Sequence, residues 1–457
     1  MRTLWCERAW LEPGDIVSGV RVELDDDGIV TSVSTGSEPE PADQRLDGVA
    51  FPAAANAHSH AFHRVLRGRT HDGTGTFWTW RDAMYRAADQ LTPDLYRRLA
   101  TAVYAEMVTA GFTSVAEFHY VHHRPGGTPY TEDDGGSHAM ELALARAASD
   151  VGIRLTLLDT CYLSSGFGTP VTSSQERFTD GSARQWLARL QSLRSTIAGQ
   201  FDPGQVTVGA ALHSVRAVDE AALSEIAQKL PADLPLHIHL SEQPAENRDC
   251  LAATGLTPAA LLARHNLLSD RLTAVHATHL SDEDIALLGR AGATVAMCPT
   301  TEADLADGIG PARALSNAGA TVALGTDQHA VVDPWLEMRA LEHGERLATG
   351  RRGRFSPADL VRAATAGGAR SQGRRAPGLQ PGQTCDLMVI SPSTARTAGS
   401  RPAQLPLTAT AQDVAAVVVG GKVVARNGRH ERLGDPALLL AGAIAELDSM
   451  GTQEGSE

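Results

Sequence analysis

Eight short apolar runs recur between residues 49 and 326, and they constrain the fold more than any other feature. They are VAFPAAAN (49–56), FTSVAEF (112–118), IRLTLLDT (153–160), QVTVGAAL (205–212), PLHIHL (235–240), LTAVHAT (272–278), ATVAMC (293–298) and ATVALGT (320–326). Each has the length and composition of a strand. Helical patterns separate them. TPDLYRRLATAVYAEMVTAG (92–111) opens on Thr92 as N-cap with Pro93 behind it, and Gly111 stops it. TPAALLARHN (257–266) repeats the Thr-Pro start, and SDEDIALLGRAG (281–292) carries Ser281 and Asp284 at capping-box spacing. This alternation predicts an α/β chain built on a (β/α)₈ TIM-like barrel. A doubly wound sheet fits less well, because no GxGxxG follows the first run.

Outside that region the pattern changes. Residues 1–50 read as short strands and turns, and so does the text after about residue 378, with turn signals at Gly420-Gly421 and Asn427-Gly428. The expected organisation is therefore 1–50 as the N-terminal part of a small composite β-sandwich, 51–378 as the barrel, and 379–457 as the C-terminal part of the sandwich plus a terminal helix.

Composition narrows the function classes. The formal charge is −14, which argues against a broad nucleic-acid footprint. No apolar run reaches membrane-spanning length, and MRTLWCERAWLEPGD carries no apolar signal core, so no membrane association is expected. Five scattered cysteines form no CxxC pair, which fits a cytoplasmic setting. Nearly all of the 40 basic residues are arginine; Lys229 and Lys422 are the lysines.

In such a barrel, side chains at the C-terminal strand ends converge on one mouth. The first run ends in Asn56-Ala57-His58-Ser59-His60, and residues two apart in extended backbone share a face, so His58 and His60 can bind one ion. The fifth run ends in His237-Ile238-His239-Leu240-Ser241-Glu242, the sixth in Val275-His276, and the eighth in Thr326-Asp327. Imidazole with carboxylate suits zinc best, with iron or manganese as alternatives. One HxH is weak evidence; ligand types at four strand ends of one barrel are strong evidence. His237, His265 and His343 read as hydrogen-bonded structural groups, His119, His122 and His123 as supporting or loop residues, and Cys298 as a buried thiol.

These strand ends resemble the metal-dependent amidohydrolase superfamily. Longer strings resemble one of its families, the formimidoylglutamate deiminases: HSHAF (58–62), FWTWRDAMYR (77–86), AGFTSVAEFHYVHH (110–123), HSVRAV (213–218), HIHLSEQPAE (237–246) and CPTTEADLADGI (298–309). The resemblance implies metal ligation by His58, His60, His239 and Asp327. It implies Glu242 as proton shuttle, His276 as catalytic partner, and substrate contacts from Arg81, Tyr120, His213 and Arg216. His63 stands where glutamine is common, and Gln328 where serine is common. Two-metal relatives usually bridge their ions with a carboxylated strand lysine. No lysine sits at a strand end here, so one divalent ion per chain is expected.

The reaction so implied is deamination of N-formimino-L-glutamate to N-formyl-L-glutamate and ammonia, in histidine degradation. Its substrate is a small dicarboxylate, which arginine matches with a planar fork. The rivals are a deaminase or chlorohydrolase acting on a purine, pyrimidine or triazine ring, a non-enzymatic scaffold, and a hydrolase releasing formamide. A homodimer is compatible with the resemblance.

Overall fold

The computed structural model describes residues 2–70 and 77–454. Two eight-stranded sheets organise it. The first holds β1 (Arg2–Leu11), β2 (Asp15–Leu24), β3 (Val30–Ser34) and β4 (Gln44–Pro52) from the N-terminal region. The second is entirely parallel and runs in chain order through β5 (Ala54–Ser59), β6 (Phe112–His119) and β7 (Arg154–Cys161). A small hairpin, β8 (Ser164–Gly166) with β9 (Thr169–Pro170), interrupts it. The parallel sheet then continues through β10 (Val206–Leu212), β11 (Leu236–Leu240), β12 (Leu272–His276), β13 (Thr294–Met297) and β14 (Thr321–Leu324). The first sheet is completed by β15 (Leu387–Ile390), β16 (Val414–Val419), β17 (Lys422–Arg426) and β18 (Arg429–His430).

The parallel sheet closes on itself. Ser59 bridges Asp327, the Asp327 amide donates to the His58 carbonyl at 3.0 Å, and the His60 amide donates to the Asp327 carbonyl at 3.1 Å. Every residue of β6 is buried, as expected for a strand covered on both faces. The predicted caps form. Thr92 accepts from the Leu95 amide and Gly111 ends that helix at φ 114°. Ser281 and Asp284 make the reciprocal capping box.

The first predicted run is divided. Residues 49–52 belong to β4 in the terminal sheet, and only the part from Ala54 enters the barrel. Pro52 ends one strand, and the Ala53 amide turns to the Asp386 carbonyl at 2.9 Å. The terminal sheet wraps a core of its own, in which Val20 and Val22 of β2 meet Ala416 and Val418 of β16. The Val30 amide donates to the Gln383 carbonyl across that seam. The C-terminal helix Pro436–Glu454 packs on Pro93–Ala110, with Arg98 paired to Glu446.

Candidate active site

Four nitrogen and oxygen atoms converge at the barrel mouth. His239 Nε2 lies 3.2 Å from His58 Nε2 and 3.4 Å from His60 Nε2. Asp327 Oδ1 lies 3.2 Å from His58 Nε2 and 3.5 Å from His60 Nε2. A tetrahedral zinc site with bonds near ~2.1 Å has ligand edges of about 3.4 Å, so this spacing fits one tetrahedral ion.

The tautomers agree with that fit. The second ring nitrogen of His60 faces the Phe118 carbonyl at 2.8 Å, and that of His239 faces the His213 carbonyl at 2.9 Å. A carbonyl only accepts, so Nδ1 carries the proton in both rings and the Nε2 lone pairs point at one another. Burial pushes all three imidazoles below the ordinary histidine range, which keeps them neutral. Asp327 is held well below its usual value: burial would raise it, but His58 and His276 outweigh that. Neutral imidazoles and one carboxylate are a donor set for a divalent cation.

The backbone aims these groups. His276 has φ 65°, Ala277 52°, Asp327 45° and Ser241 52°, all in the left-handed region that non-glycine residues rarely adopt. Each such residue costs of order 1–3 kcal/mol, and they cluster at the strand ends that carry the chemistry.

Next to the four atoms stand two acid–base groups. His276 Nε2 is 3.8 Å from both Glu242 Oε1 and Asp327 Oδ2, and its Nδ1 is 3.4 Å from Glu302 Oε1. Burial disfavours the imidazolium, but the carboxylates of Glu242, Glu302 and Asp327 push His276 up to about 10. Burial also raises Glu242 above its normal range, while His276 opposes it.

All four expected substrate contacts reach the same place. Arg81, Tyr120, His213 and Arg216 line one cavity together with His60, His239 and Asp327. A second hollow, lined by residues of the β8–β9 hairpin, shares Arg81, Arg216 and Glu242 with the first. Of the aromatic run Phe77-Trp78-Thr79-Trp80, Phe77 and Trp78 have side chains outside the described residues. Trp80 is buried in the wall of the first cavity, on the helix α1 (Phe77–Asp89).

The histidines set aside do other work. His237 Nε2 bonds the Ser371 carbonyl at 2.7 Å, and His265 lies between Ser224 and Glu220. His119 and His122 face Glu141 behind the barrel, where the Arg189 guanidinium pairs with both Glu141 and Asp159 at 2.8 Å. Cys298 is buried and its thiol is pushed well up. Lys229 pairs with Glu225 on a helix and Lys422 lies in β17, so neither reaches the mouth.

Several lining residues carry little sequence signal. His63 stacks on His60 at 4.4 Å between ring centroids and meets the Tyr120 hydroxyl at 2.9 Å. Tyr85 and Tyr162 complete the wall beside Arg81. The four-residue spacing of Arg81 and Tyr85 on one helix could have flagged that pair. Tyr162 and Glu302 offered no such pattern.

The amidohydrolase family pattern matches residues 49–424. The chain belongs to the amidohydrolase family. It is 36% identical over 445 residues to a formimidoylglutamate deiminase of Pseudomonas aeruginosa, covering 94% of this chain and 96% of that one. An amidohydrolase of Brucella melitensis superposes with TM-score 0.89 at 32% identity, over 98% of this chain and all of that one. An adenosine deaminase of Xanthomonas campestris with bound zinc superposes with TM-score 0.82 at 25% identity, over 98% of both chains. Among the described residues, no helix is long and apolar enough to cross a membrane.

Proposed function

We propose that the chain is a deiminase that hydrolyses N-formimino-L-glutamate to N-formyl-L-glutamate and ammonia. The observation that carries this reading is the pair Arg81 and Arg216, which line the same cavity as the histidine–aspartate cluster. A neutral aromatic ring has no need of two guanidinium groups; a diacid does. The likeness to the Pseudomonas aeruginosa deiminase over nearly the whole chain supports it.

His58, His60, His239 and Asp327 would hold one divalent ion, zinc before iron or manganese. When bound, the ion supplies the Lewis acidity that lets water attack near neutral pH. Glu242, three residues beyond His239, takes a proton from the attacking water and passes it to the departing nitrogen. A carbon–oxygen bond forms at the formimidoyl carbon as the carbon–nitrogen double bond becomes single. The second proton of the former water then passes to the same nitrogen, the remaining carbon–nitrogen bond breaks, the formyl C=O forms and ammonia leaves. His276, flanked by Glu242, Glu302 and Asp327, donates to the charge that develops there. Arg81 and Arg216 bind the carboxylates, with Tyr120 and His213 completing the wall.

The test is product analysis. The zinc-loaded enzyme supplied with N-formimino-L-glutamate should release ammonia and N-formyl-L-glutamate in equal amounts. Release of formamide and glutamate would assign the other cleavage and overturn the reading.

A further inference from the structure

Behind the Arg81 wall lies a buried amide that no sequence string marked. Gln175 belongs to the 3-10 turn Ser173–Phe178 and is 1% exposed. Its Oε1 accepts from the Thr172 amide at 2.9 Å. A backbone N–H can only donate, so the side-chain amide has one possible orientation. Its Nε2 therefore donates to both tyrosine hydroxyls, Tyr85 at 2.8 Å and Tyr162 at 2.9 Å. The Tyr85 oxygen also accepts from Arg81 Nε at 2.5 Å, and the Arg81 guanidinium lies 5.2 Å from the Tyr85 ring centroid.

A tyrosine oxygen has two lone pairs and one proton. With Gln175 and Arg81 both donating to it, Tyr85 retains only its proton, which it gives to the neighbouring Tyr162 hydroxyl. Tyr162 accepts from Gln175 and from the neighbouring Tyr85 hydroxyl, so both of its lone pairs are taken and its own proton is left for the cavity it lines. The turn that holds Gln175 is itself fixed. Arg177 is buried and donates to the carbonyls of His123, Ala88 and Leu91, which ties the turn to the end of α1 and to the loop after β6.

We propose that Gln175 is a positioning residue that sets the proton direction of Tyr85 and Tyr162, making the Arg81 wall a donor-only subsite for one substrate carboxylate. The proposal rests on the diacid reading above. It adds a means of selection: a carboxylate accepts from every group on such a wall, whereas an amide or ring N–H finds no acceptor. A site built of donors rejects a ligand that presents a donor, because one buried group of each is then left unpaired.

A double-mutant cycle between Gln175→Met and Arg81→Ala tests it, using N-formimino-L-glutamate and zinc-loaded enzyme. Methionine keeps the approximate volume of glutamine and removes its donors. Gln175→Met should raise KM about tenfold with kcat changed by less than about threefold, the signature of lost binding. In the Arg81→Ala background the same substitution should change KM by less than about twofold, since the group it positions is gone. Zinc content and melting temperature of each variant report on folding. If Gln175→Met does not fold, Tyr85→Phe removes a single hydroxyl and should show the same coupling to Arg81. A parental KM in Gln175→Met, or effects that simply add, would overturn the positioning role while leaving the function intact. No turnover by the unaltered enzyme would overturn the functional reading and this subsite with it.

Discussion

Glu242 Oε1 lies 3.8 Å from His276 Nε2, yet its carboxylate takes no part in the convergent set of four atoms. Glu242→Gln should therefore keep its ion and lose about 10²–10⁴ in kcat, the usual contribution of a positioned proton carrier. Metal analysis beside steady-state kinetics checks this; near-normal kcat removes Glu242 from the chemistry. Arg216 has a different task. Arg216→Ala should retain the ion and raise KM by roughly 10–100-fold, the equivalent of one charge-assisted hydrogen bond to a carboxylate. Loss of metal in that variant would contradict its assignment to the substrate. At this scale the sequence was legible where a period carried the information. His58 and His60 share a face because strand side chains alternate. Tyr162 follows β7, Gln175 lies in a 3-10 turn and Glu302 on the short helix Pro299–Asp304, and only the folded chain brings Tyr162 to the cavity, Gln175 to its hydroxyl and Glu302 to His276.

The seam between β5 and β14 joins ligand-bearing residues that are about 270 positions apart, and it depends on close approach. A methyl group on Gly325 would lie 2.8 Å from His58 Cβ and 2.9 Å from the His58 carbonyl. Gly325→Ala must move backbone, not only a side-chain tip. It should cost roughly 1–3 kcal/mol of stability, as overpacked core sites do. Because the displaced residue is His58, zinc affinity should fall as well. Denaturant unfolding and chelator competition measure the two effects; unchanged zinc affinity would show that the seam does not set the ligand geometry. The seam is polar on its hidden side. Ser59 Oγ donates to Glu117 at 2.7 Å and meets His329 at 3.2 Å, and Asn56 donates to Thr326 at 2.7 Å. The eight strands themselves were readable from composition and length. The boundary inside residues 49–56 was not, because both halves of that run are equally apolar. What separates them is a hydrogen bond to Asp386, more than 300 residues away in sequence.

For the whole molecule, the ion would link three distant parts of the barrel: His58 and His60 at the end of β5, His239 in β11, and Asp327 after β14. A ligand that binds only the folded state stabilises it by mass action, by about 4 kcal/mol at a thousandfold excess over Kd. Chelated protein should melt at a lower temperature, and zinc should restore the parental value. Metal analysis should give one ion per chain; two would contradict the inference drawn from the placement of Lys229 and Lys422. The shared architecture does not choose a substrate, since an adenosine deaminase adopts it too. Under the proposed function, the wall that carries Arg81 and Arg216 makes that choice.

The most direct test of that claim compares kcat/KM for N-formimino-L-glutamate with that for its side-chain amide, N-formimino-L-glutamine, on the zinc-loaded enzyme. The account predicts a preference for the diacid of at least about tenfold, largely abolished in Arg216→Ala or Arg81→Ala. Equal turnover of the two, or faster deamination of a purine, would contradict it.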